Sequence, residues 1–195
     1  MAVFLVATIG KLTHAFELEG WLGLSGPQFW TGQIWRLETY ALVPAGILDF
    51  VMNALALVLL GGLLERHLKR GEFWLACLVA TAGGGCAKVL LQSSNPSLLV
   101  GAAPTMFGLL IAWGFLCGRE RIQLVPFGEI TVWKLVLTAG AISLLVTFFT
   151  TGPAAGIILS AGGAASWLYF WLKQKWLMSR ASSLAHSERI RRLEL

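Results

Sequence analysis

VPAGILDFVMNALALVLLGGLL, at residues 43–64, is a run of 22 residues in which Asp49 is the one ionisable side chain. The hydrocarbon core of a bilayer is about 30 Å thick, and an α-helix needs about 20 apolar residues to cross it. The length and composition of this stretch therefore predict a transmembrane helix.

The rest of the chain repeats this pattern of long apolar stretches separated by short charged loops. Of the 195 residues, 56% are hydrophobic and 13% are charged. The mean hydropathy is +0.72, outside the usual range of soluble domains. These features predict an all-α, polytopic membrane protein with a bundle of six transmembrane helices. The predicted spans are Ala2–Phe16, Val43–Leu64, Phe73–Leu91, Pro104–Cys117, Thr131–Thr150 and Ala154–Leu172.

The charge distribution predicts the orientation of these spans. The net charge is +5, but the excess lies in short loops beside apolar spans, which favours membrane topology over nucleic-acid binding. Eleven Lys and Arg residues fall on one side and one, Arg36, on the other. The positive-inside rule then places both termini in the cytoplasm, and we expect a bacterial inner membrane. The eleven are Arg66, Lys69, Arg70, Arg119, Arg121, Lys173, Lys175, Arg180, Arg189, Arg191 and Arg192.

No residue pattern indicates a metal or cofactor site. Cys77, Cys86 and Cys117 lie in apolar stretches without the close spacing of metal ligands, and are interpreted as buried thiols. His14, in the first span, could ligate a haem or pigment. A lone histidine in an apolar helix is more often hydrogen-bonded or interfacial. We therefore predict that no metal or cofactor is bound.

Two ionisable residues inside the predicted spans require partners or water. Asp49 and Lys88 either pair with each other, or Lys88 extends to the interface while Asp49 is hydrated from a cavity. Small residues in the last span predict close helix packing, with Gly156 and Gly163 facing the fourth span. Ser166, if it faces lipid, should tolerate replacement by leucine.

Three stretches together resemble the rhomboid family of intramembrane serine proteases. GQIWRLETY at residues 32–40 resembles the Trp-Arg motif of the first loop, through Trp35 and Arg36. NALALVLLGGLLER at residues 53–66 resembles the second helix. GAAPTMFG, which begins at Gly101, occupies the place of the Gly-x-Ser-Gly segment that opens the fourth helix. The resemblance implies a rhomboid-like transmembrane domain at residues 1–178, followed by a basic cytoplasmic tail at 179–195.

The resemblance also implies that the catalytic groups have been lost. The position of the family's nucleophilic serine holds Ala103, and the helix-six motif aligns so that the position of the catalytic histidine holds Ser160. A hydroxyl is a weak nucleophile without an adjacent base, so neither residue supports the reaction. Asn53 matches an asparagine of the family's oxyanion side, whereas Pro44 and Asp49 stand where the family usually has a histidine.

These expectations favour a catalytically inactive rhomboid-like protein. It would bind transmembrane helices of other membrane proteins within the lipid bilayer, at the gap between spans two and five, or serve as a subunit of a larger membrane complex. The implied binding residues are Trp35, Arg36, Asp49, Asn53, Gly101 and Gly163. Two alternatives remain open: an active serine endopeptidase with a displaced dyad, and a small transporter or ion pathway.

Overall fold

The computed structural model describes residues 19–124 and 128–193, with side chains up to Arg180. The first predicted span, Ala2–Phe16, and His14 within it lie outside the described residues. Two short helices, α1 (Gly26–Trp30) and α2 (Arg36–Thr39), and a 3-10 turn at Tyr40–Leu42 form the loop that precedes the long helices.

Five long helices follow, and they confirm a mostly helical membrane protein. They are α3 (Ile47–Leu64), α4 (Arg70–Leu91), α5 (Ala103–Cys117), α6 (Val132–Thr151) and α7 (Pro153–Leu193). Within the described residues, α3, α4, α6 and the part of α7 up to Arg180 are long and apolar enough to span a bilayer. The predicted number of six spans is not established, because the first lies outside the described residues and α5 is shorter than the other helices.

The helix bounds follow local chemistry. Helix α3 begins at Ile47 rather than Val43, because Pro44 and the extended Gly46 precede it. Helix α4 begins with a capping box in which the backbone N–H of Lys69 donates to Glu72 Oε2 at 3.3 Å. Helix α7 continues without a break past residue 178, so the separate tail at 179–195 stays a prediction.

A short β-hairpin modifies the all-α prediction. Strands β1 (Arg121–Leu124) and β2 (Gly128–Thr131) pair antiparallel between α5 and α6, with Ile122 opposite Ile130. Alternation over four residues is too short to distinguish from a loop, which is why the sequence pattern did not indicate it.

Helix α5 lies at the centre of the bundle and packs against its neighbours through small residues. At 15 residues it is about 22 Å long, and protein surrounds much of it. Added Cβ atoms would lie 2.5 Å from Pro104 Cβ at Gly84 and 2.6 Å from Pro104 O at Gly162. Pro104 therefore occupies the space that is open because α4 has Gly84 and α7 has Gly162 at these positions.

The packing expectation for Gly156 on α7 is wrong, and the condition set for Ser166 is not met. Gly156 has no heavy atom within 4 Å of an added Cβ, whereas at Gly163 the nearest atoms are those of Phe107, 2.7 Å away. Ser166 is fully buried rather than lipid-facing. The tight face of α7 thus runs through Gly162, Gly163 and Ser166.

Candidate functional site

A cavity of about 720 Å³ lies between α3, α5, α6 and α7. Its lining is predominantly apolar and combines both sides of the gap expected between the second and fifth spans. Asn53, Ser143 and Thr147 supply the polar side chains of the lining. The other lining residues are Met52, Ala56, Leu59, Leu60, Leu63, Ala103, Met106, Phe107, Leu110, Trp113, Leu135, Ile142, Val146 and Leu159.

Ala103 lies on the wall of this cavity at the first residue of α5. Gly101 precedes it with φ +101°, a conformation that glycine adopts without strain. The sharp turn into α5 leaves Ala103 exposed while Ala102 and Pro104 are buried. The place implied for a nucleophile is therefore accessible from the cavity, and it carries a methyl group.

Leu159 is the α7 residue that shares the cavity with Ala103. It is buried and apolar. Ser160, the residue aligned with the family's histidine, is half-buried outside the lining and donates its hydroxyl to Gly156 O at 2.7 Å. One residue corresponds to about 100° of helix rotation, so Ser160 points away when Leu159 faces the cavity.

Asn53 is buried at 7% exposure, and its side-chain Nδ2 has no hydrogen-bond partner. An unpaired buried donor costs about 1 to 3 kcal/mol. Asn53 also lines the cavity, but its Nδ2 is covered by the surrounding side chains.

Asp49 and Lys88 do not form the ion pair that the sequence left open. The Asp49 carboxylate accepts a hydrogen bond from the backbone N–H of Ala45 at 2.9 Å. The Lys88 ammonium group donates to Gln92 and, at 2.9 Å, to Ser97 Oγ. Each charged group is thus solvated by neighbouring polar groups near the end of its own helix.

Asp49 also lies beside the turn that leads into α5. A Cβ at Gly101 would lie 3.2 Å from Asp49 Oδ2. The carboxylate therefore leaves little room for a side chain at residue 101, in addition to the requirement for positive φ there.

Arg36 holds the first loop together from inside it. Its exposure is 4%, and its Nη1 and Nε donate at 2.5 Å to Gly23 O and Gln33 Oε1. Burial lowers the pKa of its guanidinium. Trp35 is 55% exposed, as an interfacial anchor would be. The contacts of Arg36 are those of a loop anchor rather than of a lipid headgroup ligand.

Hydroxyl groups near α5 are engaged in structural hydrogen bonds. Tyr40 donates to Thr81 O at 2.9 Å. Thr81 Oγ1 donates to Cys77 O at 2.8 Å and lies 2.6 Å from Thr105 Oγ1, so the Thr105 proton points to Thr81. Thr105 is therefore held by a hydroxyl and not by a base.

Histidine does not supply a base for this cavity within the described side chains. His67 follows the last turn of α3 and contacts Cys117 and Glu120. It is 14 residues beyond Asn53, which corresponds to about 21 Å along a helix axis. His14 and the side chain of His186 are not among the described positions.

The chain matches the family model of the Rhomboid domain over residues 31–186. A search of curated proteins finds no match. The matched range contains α2, helices α3 to α6, α7 up to residue 186 and the whole cavity lining.

Proposed function

Because the chain belongs to the rhomboid family, whose domain covers residues 31–186, we propose that it is a catalytically inactive member that binds transmembrane segments. It acts on other membrane proteins, either by holding them or as an accessory subunit of a larger membrane complex. The observation that carries this proposal is the cavity wall formed by Ala103 and Leu159.

The chemistry of that wall supports inactivity. Hydrolysis by a serine enzyme needs a hydroxyl and a base that accepts its proton. Ala103 has no hydroxyl, and Leu159 cannot accept a proton. Ser143 and Thr147 bring hydroxyls to the opposite wall, but the described lining contains no His, Lys, Asp or Glu beside them.

The shape and polarity of the cavity support a binding role. It opens between α3 and α6, where Met52 and Ile142 are 57% and 61% exposed. Helix association in lipid depends on close packing and interhelical hydrogen bonds, the latter contributing about 0.6 to 2 kcal/mol each. The unpaired Nδ2 of Asn53 is buried, so the side chain must rotate into the cavity to donate to a carbonyl oxygen of a helix that enters here.

Site-specific photo-crosslinking tests this proposal in the native membrane. A photoreactive residue in place of Met52 should give discrete adducts with membrane proteins. The matched control is Leu90 on α4, which is 77% exposed and lies outside the cavity lining. Filling the cavity with Ser143→Phe should reduce the adducts at residue 52. Equal adduct patterns at residues 52 and 90 would reject the cavity as the binding site.

Two assays separate the alternatives. Fluorophosphonate labelling of a serine in the purified protein would establish an active endopeptidase with a displaced dyad. Ion flux in proteoliposomes that Asp49→Asn abolishes would establish a transporter or ion pathway. The Asp49 carboxylate is bound to Ala45 N beside Gly101, a capping arrangement rather than a chain of relay groups, so we expect neither result.

We also propose that the protein lies in a bacterial inner membrane with both termini in the cytoplasm. The eleven-to-one distribution of Lys and Arg supports this orientation. Ser94 is exposed in the loop after α4, so a Ser94→Cys variant should react with a membrane-impermeant maleimide added to intact cells. Reaction only after the cells are opened would reverse the orientation.

A further inference from the structure

Three potential metal ligands converge at the end of α3 that is remote from Asn53. His67 lies in the loop after α3, Cys117 is the last residue of α5, and Glu120 precedes β1. One ligand atom from each lies within 4.8 Å of the other two. The fifty residues that separate His67 from Cys117 conceal this cluster in the sequence.

The separations of these atoms fit a tetrahedral zinc ion. Zn²⁺ bonds of about 2.3 Å to sulfur and about 2.0 to 2.1 Å to nitrogen and oxygen place sulfur about 3.6 Å from nitrogen, and nitrogen about 3.4 Å from oxygen. His67 Nε2 lies 3.6 Å from Cys117 Sγ and 3.4 Å from Glu120 Oε1. These two separations match two edges of the ligand tetrahedron. Because the same sulfur also lies 3.5 Å from His67 Nδ1, the imidazole ring must turn so that the lone pair of Nε2 faces the ion.

The third edge requires only a small movement. Sulfur and carboxylate oxygen should be about 3.6 Å apart around Zn²⁺, and Cys117 Sγ and Glu120 lie within 4.8 Å. The Glu120 side chain is 59% exposed and can rotate towards the thiol. The neighbouring Arg121 does not compete for it, since Arg121 Nη1 lies 3.4 Å from Glu129 Oε2.

The surroundings also favour a cation. Helices α3 and α5 both end beside the cluster, and helix C-termini carry partial negative charge. His67 Nδ1 lies 3.4 Å from Leu63 O. A hydrogen bond from Nδ1–H to this carbonyl leaves Nε2 free to bind a metal, which is a common arrangement around metal-binding histidines.

We propose that His67 Nε2, Cys117 Sγ and a carboxylate oxygen of Glu120 bind Zn²⁺, with water as the fourth ligand. The thiol of Cys117 loses its proton to solvent on binding, because the thiolate is the ligand. The ion joins the end of α3 to the end of α5, and so fixes one side of the cavity at the edge opposite Asn53. This site is independent of whether the cavity binds other proteins.

Cobalt binding to the untagged, reduced and chelator-treated full chain in detergent tests the site. Co²⁺ bound to a thiolate gives a charge-transfer absorption that reports the sulfur ligand directly. We expect one Co²⁺ per chain with this absorption, and its displacement by Zn²⁺. The signal should vanish in Cys117→Ser and persist in the control Cys86→Ser, whose thiol is exposed on α4.

His67→Gln and Glu120→Gln keep the test decisive if Cys117→Ser fails to fold, because both side chains are accessible to solvent. Each should weaken Co²⁺ binding at least about tenfold, the smaller effect expected when even an outer partner of a metal is removed. The proposal is overturned if the wild-type protein shows no thiolate absorption, if the absorption survives in Cys117→Ser, or if neither Gln variant changes the affinity.

Discussion

Replacing Gly162 by alanine tests how closely α5 and α7 pack. A Cβ at residue 162 would lie 2.6 Å from the carbonyl oxygen of Pro104 and 3.0 Å from its carbonyl carbon. Both are backbone atoms in the first turn of α5. A change of side-chain rotamer cannot relieve such a contact, so the two helices must move apart.

Gly156, on the same helix, provides the reference for the magnitude. Gly156→Ala meets no heavy atom within 4 Å and should stabilise the helix by up to about 1 kcal/mol through its higher helix propensity. Gly162→Ala gains the same propensity but adds an overpacking cost of about 1 to 3 kcal/mol. The free energies of unfolding of the two variants should therefore differ by that cost.

The assay is unfolding of the detergent-solubilised protein by SDS. Far-ultraviolet circular dichroism follows the loss of α-helix in both variants. Gly162→Ala should unfold at lower SDS than Gly156→Ala. Equal midpoints, or a lower midpoint for Gly156→Ala, would refute the close approach of α7 to Pro104.

Three further predictions concern the cavity and the first loop. Ala103→Ser, alone or with Leu159→His, should not cleave a fluorogenic transmembrane substrate, since Pro104 has no backbone N–H to offer an oxyanion; cleavage would contradict the inactive assignment. Asn53→Leu should raise the free energy of unfolding by about 1 to 3 kcal/mol in the SDS assay, because it removes an unpaired buried donor. Burial raises the pKa of Glu38 from 4.5 to about 7, so the unfolded chain releases this proton at lower pH than the folded chain. Stability should therefore fall as pH rises from 4.5 to about 7 and level off above, and Glu38→Gln should flatten this dependence of the unfolding midpoint.

The apolar runs predicted the long helices because bilayer thickness imposes a length that few other structures need. Span bounds agreed to within a few residues where capping chemistry was visible, as at Lys69 and Glu72. The start of α3 was placed too early, because hydropathy does not register that Pro44 and Gly46 precede the helix.

The sequence did not predict which face of α7 packs against α5. Residues 161–166 are Ala-Gly-Gly-Ala-Ala-Ser, small on every side, so they give no apolar and polar faces to distinguish. The sequence consequently left open whether Ser166 faces lipid, and Ser160 rather than Leu159 was aligned with the catalytic position. The contacts of Gly162 with Pro104 and of Gly163 with Phe107 determine which face of α7 packs against α5. Only the folded chain reveals these contacts.

The fit of Pro104 between Gly84 and Gly162 bears on how this protein can change over evolutionary time. A Pro104→Gly change would provide a backbone N–H at the start of α5 but remove the ring that contacts both neighbouring helices. In lipid those contacts are dispersion interactions that nothing else replaces. If the chain is inactive as proposed, this proline is a packing barrier to hydrolytic activity, since a change at residue 104 passes through a less stable protein before activity can be selected.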